Sequence, residues 1–461
     1  MKITVIGGGS VRSPLLVAAA LRRASRIHLD EVCLMDIDQD KLDVFGGLSQ
    51  VVARRMNSPV KLSLTTDPLA AMTGASYVIT TIRVGGDQGR ISDERIALKY
   101  GVLGQETTGP GGFAMALRSI PAILDYARLL FEINPQAWLF NFTNPAGLVT
   151  QALRDNGFTR TVGICDSANG AQHAASRYLG IEDKRLQGEV FGLNHLSWCR
   201  KVFLDGQDCL VRLLNEPAFL SGSNQAFFDP ELIRQIGMFL NEYLFYYYYP
   251  EKAVSSILSD EMTRGEEILH LNRQFMRRME SIDLVKEPEK ALEVHSTYTH
   301  RRSSTYMHYA QPGSPTPKEA DHQFEDWIQQ PSDVEGEGYA GVVLDIIEAF
   351  TSGIAMITGL NIPNEGMIDA MRPSDVVEIS ARVDSSGIHP LLIGAIPEHQ
   401  ELLMRSVKVY ERLTVEAVQA RSRQIAQAAL MAHPLVQSYS RARLLVDDYL
   451  IAHAPYIGQW T

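Results

Sequence analysis

The chain is predicted to be an α/β protein whose N-terminal part is a Rossmann-like, doubly wound parallel sheet, and three features carry that prediction. A short run rich in β-branched residues, Lys2 to Ile6, stops at Gly7-Gly8-Gly9, and an amphipathic stretch follows from Pro14 to Arg23. A second apolar run, Glu31 to Met35, ends at Asp36 and gives way to a helical pattern from Asp40 to Met56. The alternation then continues along the chain, and strands that alternate with helices form parallel sheets covered on both faces.

The later elements follow in order. Strands are expected at Lys61 to Leu64, Tyr77 to Ile82, Trp138 to Phe142 and Thr161 to Ile164, with a helix from Phe113 to Phe131. Beyond Asp166 the texture changes. Glu189 to Leu204 has the length and pattern of antiparallel strands, and helices dominate from Asp229 to Glu280 and from His399 to His433. The expected division is therefore residues 1–165 as one unit and 166–461 as a mixed α/β unit. Gln311 to Gly338, rich in Pro, Ser, Asp and Glu, is predicted to be a long surface loop.

At 461 residues the chain exceeds what one hydrophobic core usually organises. A net charge of −11 argues against broad binding to nucleic acid or anionic membranes, so any anionic substrate must meet a local basic pocket. Cys33, Cys165, Cys199 and Cys209 match no disulfide or zinc-ribbon spacing, which fits a reducing compartment. The apolar run in MKITVIGGGS is too short for a signal-peptide core, and no stretch approaches the roughly 20 apolar residues of a membrane span. A cytoplasmic protein is expected.

Gly7, Gly8, Gly9 and Ser10 stand where a dinucleotide's pyrophosphate would sit, because glycines let backbone amides approach and the next helix presents its positive N-terminus. Arg12 occupies the place of a third small residue, and an ordinary tight turn would use the same glycines. Asp36, at the end of the second strand, can accept hydrogen bonds from a ribose and disfavours a 2′-phosphate, so NAD is preferred to NADP. Cys165 and His195 together offer one soft and one borderline ligand for a divalent transition metal with open positions, although each alone reads as an ordinary core group. Between Asn241 and Tyr249 most tyrosines read as a packed aromatic face. One of them could act as a base if a cation lowered its pKa from about 10.

Several blocks in fixed order resemble glycoside hydrolase family 4, especially its 6-phospho-β-glucosidases. They are Ile6-Gly-Gly-Gly-Ser10, Asp93-Glu-Arg-Ile96, Lys99 to Phe113 with its Gly-Gln-Glu-Thr-Thr core, Asn141-Phe-Thr-Asn-Pro-Ala-Gly147, Gly163-Ile-Cys-Asp166 and Gly192-Leu-Asn-His195. Tyr410-Glu-Arg-Leu-Thr414 and His433-Pro-Leu435 extend the likeness towards the C-terminus. The resemblance implies a second domain of the lactate/malate dehydrogenase type, carrying substrate, metal and oligomer contacts, and a homodimer or homotetramer. NAD-dependent enzymes of this family stand outside the two-carboxylate pattern of glycoside hydrolysis. In them NAD+ removes hydride from sugar carbon 3, a base takes the proton from carbon 2, the aglycone leaves by elimination, water adds and the hydride returns.

The same resemblance assigns roles. Cys165 and His195 would hold the metal, expected to be Mn2+; Tyr243 would be the base; Asp166 would assist the leaving group; and Glu106 would lie beside substrate and cofactor. Arg90 and Arg301 match phosphate-binding arginines, suited by their planar forks, and Asn144 matches a substrate-binding asparagine. The implied substrate is a phosphorylated disaccharide or an aryl 6-phosphoglucoside. Asp166 is the residue expected in 6-phospho-α-glucosidases, whereas Ser167-Ala-Asn-Gly170, Thr107-Thr108 and Phe142 look β-like, and Arg302-Ser303-Ser304 replaces a glycine-rich stretch. A 6-phospho-α-glucosidase or 6-phospho-β-galactosidase is the near alternative. An NAD-dependent 2-hydroxy acid dehydrogenase, which would accumulate NADH, and a non-catalytic NAD or sugar-phosphate sensor are the distant ones.

Overall fold

The structure is a computed structural model that describes residues 1–310, 328 and 338–461. Six parallel strands open the chain: β1 (Lys2–Ile6), β2 (Glu31–Met35), β3 (Lys61–Thr65), β4 (Tyr77–Thr80), β5 (Trp138–Asn141) and β6 (Thr161–Gly163). They lie in the order β3-β2-β1-β4-β5-β6, the doubly wound arrangement, with β1 paired to both β2 and β4 at the point where the order reverses. The apolar runs of β1, β2 and β4 become strands covered on both faces and buried along nearly their whole length, while the edge strand β3 is only partly covered.

The remaining strands continue the same sheet. They are β7 (Leu186–Leu193), β8 (Leu196–Leu204), β9 (Gln207–Asp208), β10 (Phe239–Leu240), β11 (Met356–Pro363), β12 (Val376–Asp384) and β13 (Gly387–Pro390). β11 pairs antiparallel with β6, and the order runs on through β12, β7, β8 and β10, so the second half extends the first across a shared edge. β7 and β8 form the antiparallel pair expected from Glu189 to Leu204, joined at the two-residue turn Asn194-His195.

Helices that the periodicity did not reveal have physical reasons for hiding. Helix Gly86–Lys99 buries Arg90, Asp93 and Glu94 on its inner face, so polar residues stand where an apolar stripe would be looked for. The helical region from Asp229 is broken into Pro230–Ile236, Pro250–Ser259 and Arg264–Glu280, with β10 and short turns between. Gly237 ends the first at φ +69°, and a reciprocal Thr263/Glu266 capping box starts the last. Of the loop expected over Gln311 to Gly338, residues 311–327 and 329–337 lie outside the described residues, and Gly338 opens helix Gly338–Ser352. Among the described residues no helix is long and apolar enough to cross a membrane.

Candidate active site

A cleft of about 1290 Å³ runs along the C-terminal ends of the parallel strands, where open α/β sheets place their ligands. On its β1/β2 side it is lined by Gly7, Gly9, Ser10 and Asp36. The Gly7 and Gly8 amides both donate to the Met35 carbonyl, at 2.8 and 2.7 Å, and the Gly9 amide donates to Asp36 Oδ2 at 2.9 Å. Gly7 is required by its backbone: at φ +97° a Cβ would stand 2.6 Å from the Thr81 carbonyl oxygen. Gly8 itself packs against Leu34 and does not line the cleft. Helix Ser13–Arg22 begins directly after this turn; its Ser13 and Leu16 amides are taken by the Ser10 and Arg12 carbonyls and Pro14 has none, so what it offers an anion is its dipole.

On the other side Cys165, Asp166, His195 and Tyr243 converge. Cys165 ends the segment leaving β6 and precedes the short turn Asp166–Asn169. His195 is held at φ +62° by the tight β7–β8 turn, which aims its ring back at Cys165 with Nε2 3.4 Å from Sγ. Thr107 Oγ1 contacts the other ring nitrogen at 3.1 Å. Tyr243 follows β10 and is capped by Asn241, whose side chain accepts from the Tyr243 amide at 3.0 Å. Its ring lies flat on His195, with centroids 3.6 Å apart and planes 3° from parallel.

The donor set fits a divalent transition ion. Two ligand atoms 3.4 Å apart suit adjacent positions around a metal whose bonds to N and S are roughly 2.0–2.3 Å. Among the described residues no group of three or more His, Cys, Asp and Glu gathers into a closed site, so a metal on this pair would keep positions open towards the cleft. Burial draws the His195 pKa down to about 4, which keeps the imidazole neutral as a ligand must be. Burial also pushes the Cys165 thiol and the Tyr243 phenol well above their ordinary values, so only a cation would make either readily ionisable.

Arg90, Glu106 and Asn144 line the same cleft. Glu106 sits between Arg83, 2.6 Å away, and Arg90, 3.1 Å away; burial opposes its charge, but these guanidiniums and Arg302 hold its carboxyl far below the usual range. Arg90 also bonds Glu94 at 2.8 Å and is almost fully buried, so it is no solvated surface arginine. The Glu106 loop is seated by Gly111 and Gly112, where a Cβ would strike the Gln105 and Thr107 carbonyl oxygens at 2.0 and 2.2 Å. Asn144 lies just past β5, before the cis bond to Pro145. Arg301 is placed apart from this group: it bonds Gln274 at 3.4 Å and does not line the cleft. Its neighbour Arg302 does, because helix Pro288–Ser304 turns successive side chains about 100° apart, and Arg264 joins it.

Sequence reasoning passed over several residues here. Arg83 stands three residues past the C-terminal end of β4, in the loop where a doubly wound sheet puts ligand contacts, and that position was a usable signal. Glu378 is an acidic residue inside the apolar run Val376-Val-Glu-Ile; it accepts from Ser197 at 2.6 Å and from Asn194 and Asn361 at 3.2 Å, bracing the turn that carries His195. Ser167, 3.0 Å from Cys165 Sγ, and Asn241, which donates to Ser167 Oγ at 3.2 Å, tie the metal-side residues together and carried no local signal.

Residues 2–181 match the description of family 4 glycosyl hydrolases, and residues 190–436 match that of the family's C-terminal domain. The chain is 30% identical over 461 residues to the 6-phospho-beta-glucosidase of Thermotoga maritima, covering 99% of both. It is 28% identical over 476 residues to a phospho-alpha-glucosidase of Clostridium acetobutylicum, covering 98% of both. The Thermotoga maritima enzyme solved with manganese, NAD+ and glucose-6-phosphate has a TM-score of 0.81 to this chain at 27% identity, over 99% of each. The glycine turn, the Cys165–His195 pair and these matches over nearly the full length lead to one conclusion: the chain belongs to family 4 of the glycosyl hydrolases.

Proposed function

We propose that this chain is an NAD+- and Mn2+-dependent hydrolase of 6-phospho-β-glucosides. The observation that carries the reading is the meeting of Cys165, His195 and Tyr243 in one cleft with the Gly7–Ser10 turn and Asp36. In this reading residues 1–165 bind the nucleotide and residues 166–461 supply substrate, metal and subunit contacts in a cytoplasmic homodimer or homotetramer. Two close relatives act on opposite anomers according to their names, and both carry the likeness across the whole chain.

NAD+ would take up and return a hydride, and a metal held by Cys165 and His195 would act as a Lewis acid on the neighbouring sugar hydroxyls. The chain's own residues do the rest. The Gly7 to Ser10 backbone and the following helix N-terminus receive the pyrophosphate, and Asp36 accepts from the ribose. Tyr243, fixed flat on His195 by the Asn241 cap, removes the proton from carbon 2 through its phenol oxygen. Asp166 serves the departing oxygen. Arg90, with Arg302 and Arg264 in the place first given to Arg301, binds the 6-phosphate beside Asn144. Glu106 holds Arg83 and Arg90 in register beside the substrate and cofactor.

The test is hydrolysis of p-nitrophenyl 6-phospho-β-glucoside and its α anomer by metal-stripped protein, with NAD+ and Mn2+ added singly and together. Cleavage that needs both, without net NADH, is expected, with the β anomer preferred. Cleavage without NAD+, or steady NADH production, would overturn the mechanism. Preference for the α anomer would make Asp166 the better guide to specificity.

A further inference from the structure

Beyond Asp166 the cleft has a second wall that the proposed chemistry leaves unused. It belongs to the opposite end of the sheet from β1 and β2. Helix Gly170–Leu179 packs on β7 and β8, and the turn Asn224–Phe227 packs on β10 and on the turn Glu242–Leu244. Gly170, His173 and Arg177, three and four residues apart on one helix, present a single face to the cleft. Asn224 and Glu242 complete it from the two turns.

These pieces are locked to one another and to the catalytic side. Gln225 exchanges two hydrogen bonds with the Leu240 backbone, at 2.8 and 3.0 Å, which fixes the Asn224 turn against the strand that leads to Glu242. Asn241, next to Glu242, donates to Ser167 Oγ at 3.2 Å, which brings the Glu242 turn against the Asp166 segment. His173 is oriented by Asp183, with Nδ1 and Oδ2 2.5 Å apart, so Nε2 is the ring nitrogen left to a ligand. Gly170, His173, Arg177, Asn224 and Glu242 carry no apolar side chain, and the aromatic Tyr306 beside them in the cleft stands edge-on to Tyr243.

Glu242 is its unusual member. The residue is only 6% exposed, yet it lines the cleft, and its carboxyl takes one long side-chain bond, 3.3 Å, from Asn224 Nδ2 besides a hydrogen bond from its own backbone. A carboxyl group has room for several more. Burial, with the nearby Asp166 charge, raises its pKa to about 7, so it can both donate to and accept from a neutral partner. A flat aryl group placed here would leave that carboxyl with only its Asn224 and own-backbone contacts, whereas a hydroxyl group would add a partner, and sites of this kind favour ligands that carry the hydroxyl.

We propose that Glu242, supported by Asn224 and His173, is the specificity-determining residue of the leaving-group subsite and reads the hydroxyl groups of a sugar, so that the chain is tuned to phosphorylated disaccharides over aryl phosphoglucosides. The inference rests on the reading of Asp166 as the residue that serves the departing oxygen. The experiment compares kcat/KM for a 6-phosphoglucosyl-glucose disaccharide with that for the p-nitrophenyl 6-phosphoglucoside of the same anomer, in the wild type, Glu242→Leu, Glu242→Gln and Asn224→Ala, with NAD+ binding as the check on folding. Glu242→Leu is expected to lower the disaccharide-to-aryl ratio at least tenfold, chiefly through the disaccharide KM. Glu242→Gln should restore much of the ratio, and Asn224→Ala should lower it several-fold even if the leucine variant does not fold. Equal losses on both substrates, or an unchanged ratio, would overturn this assignment while leaving the glycosidase reading intact. A wild type inactive on both substrates would remove the glycosidase reading and this one with it.

Discussion

The nucleotide side of the cleft takes its groups from turns that directly follow β1 and β2, neighbours in both sequence and space, whereas the catalytic side collects Cys165, His195 and Tyr243 from three separate segments. On the first side backbone amides and one carboxylate do the facing, with Gly9 bonded to Asp36 across two adjacent strands. On the second side the side chains matter, and each is aimed by a neighbour: Thr107, distant in sequence, on His195, and Asn241 and Ser167, each two residues away, on Tyr243 and Cys165. A site made of backbone tolerates changes around it but not a Cβ in it, while a site made of side chains depends on a network that can be cut at several places.

The largest expected effect falls on the catalytic side. Tyr243→Phe removes one oxygen from a ring whose stacking on His195 is otherwise kept, and should lower kcat by about 10²–10⁴ with NAD+ affinity unchanged. Near-normal turnover in a steady-state assay would take Tyr243 out of the mechanism.

A pH experiment probes whether the nucleotide side is as local as it looks. His295, on helix Pro288–Ser304, is fully buried and 2.8 Å from the Val11 carbonyl oxygen, so a distant helix props the residues just past the glycine turn. Burial lowers its pKa to about 4, against about 6.5 in an unfolded chain. The folded state thus stays neutral while the unfolded state takes up a proton, and stability present above pH 6.5 is lost as the pH falls towards 4. That amounts to about 2 kcal/mol by pH 5. Urea midpoints at pH 7.5 and 5 should show a smaller loss in His295→Gln than in the wild type; equal losses would place the titration elsewhere.

Cys165→Ser should weaken the activation by added Mn2+ by roughly 10–100-fold, since a hydroxyl is a poorer ligand than a thiolate. A Mn2+ titration unchanged from the wild type would move the ligand off Cys165. Gly7→Ala forces φ +97° on a residue with a Cβ and sets it 2.6 Å from Thr81 O, a backbone atom that cannot swing aside. It should cost about 1–3 kcal/mol from the backbone strain, with the steric clash in addition, and weaken NAD+ binding, with kcat at saturating NAD+ little altered. A large fall in kcat instead would show that the two sides are mechanically coupled.

The parallel half of the fold was legible because its signals are local: a buried strand is a short apolar run, and a nucleotide turn is glycine after a strand. β2 occupies the predicted Glu31 to Met35, and the Ser13–Arg22 helix lies one residue from its expected span. Helix Gly86–Lys99 was not legible, since Arg90, Asp93 and Glu94 are buried by pairing with groups distant in sequence, Arg118 with Asp93 at 2.7 Å among them. The choice between Arg301 and Arg302 was likewise closed to the sequence, because adjacent helical residues differ in direction by about 100° and only the packing of the helix says which faces inward.

The amino-acid sequence by itself determined the alternation of strands and helices, the glycine turn, the acidic residue after β2 and the chemical types of the metal and base candidates, because these depend on backbone sterics and on periodicity within a few residues. The tertiary structure alone decided that β11 joins the two halves into one sheet, that His195 Nε2 lies 3.4 Å from Cys165 Sγ, that Arg302 and Arg264 enter the cleft, and that Glu242 is a buried carboxyl beside the Asp166 segment. Those facts are distances between residues tens to hundreds of positions apart, and they are set by how whole elements pack.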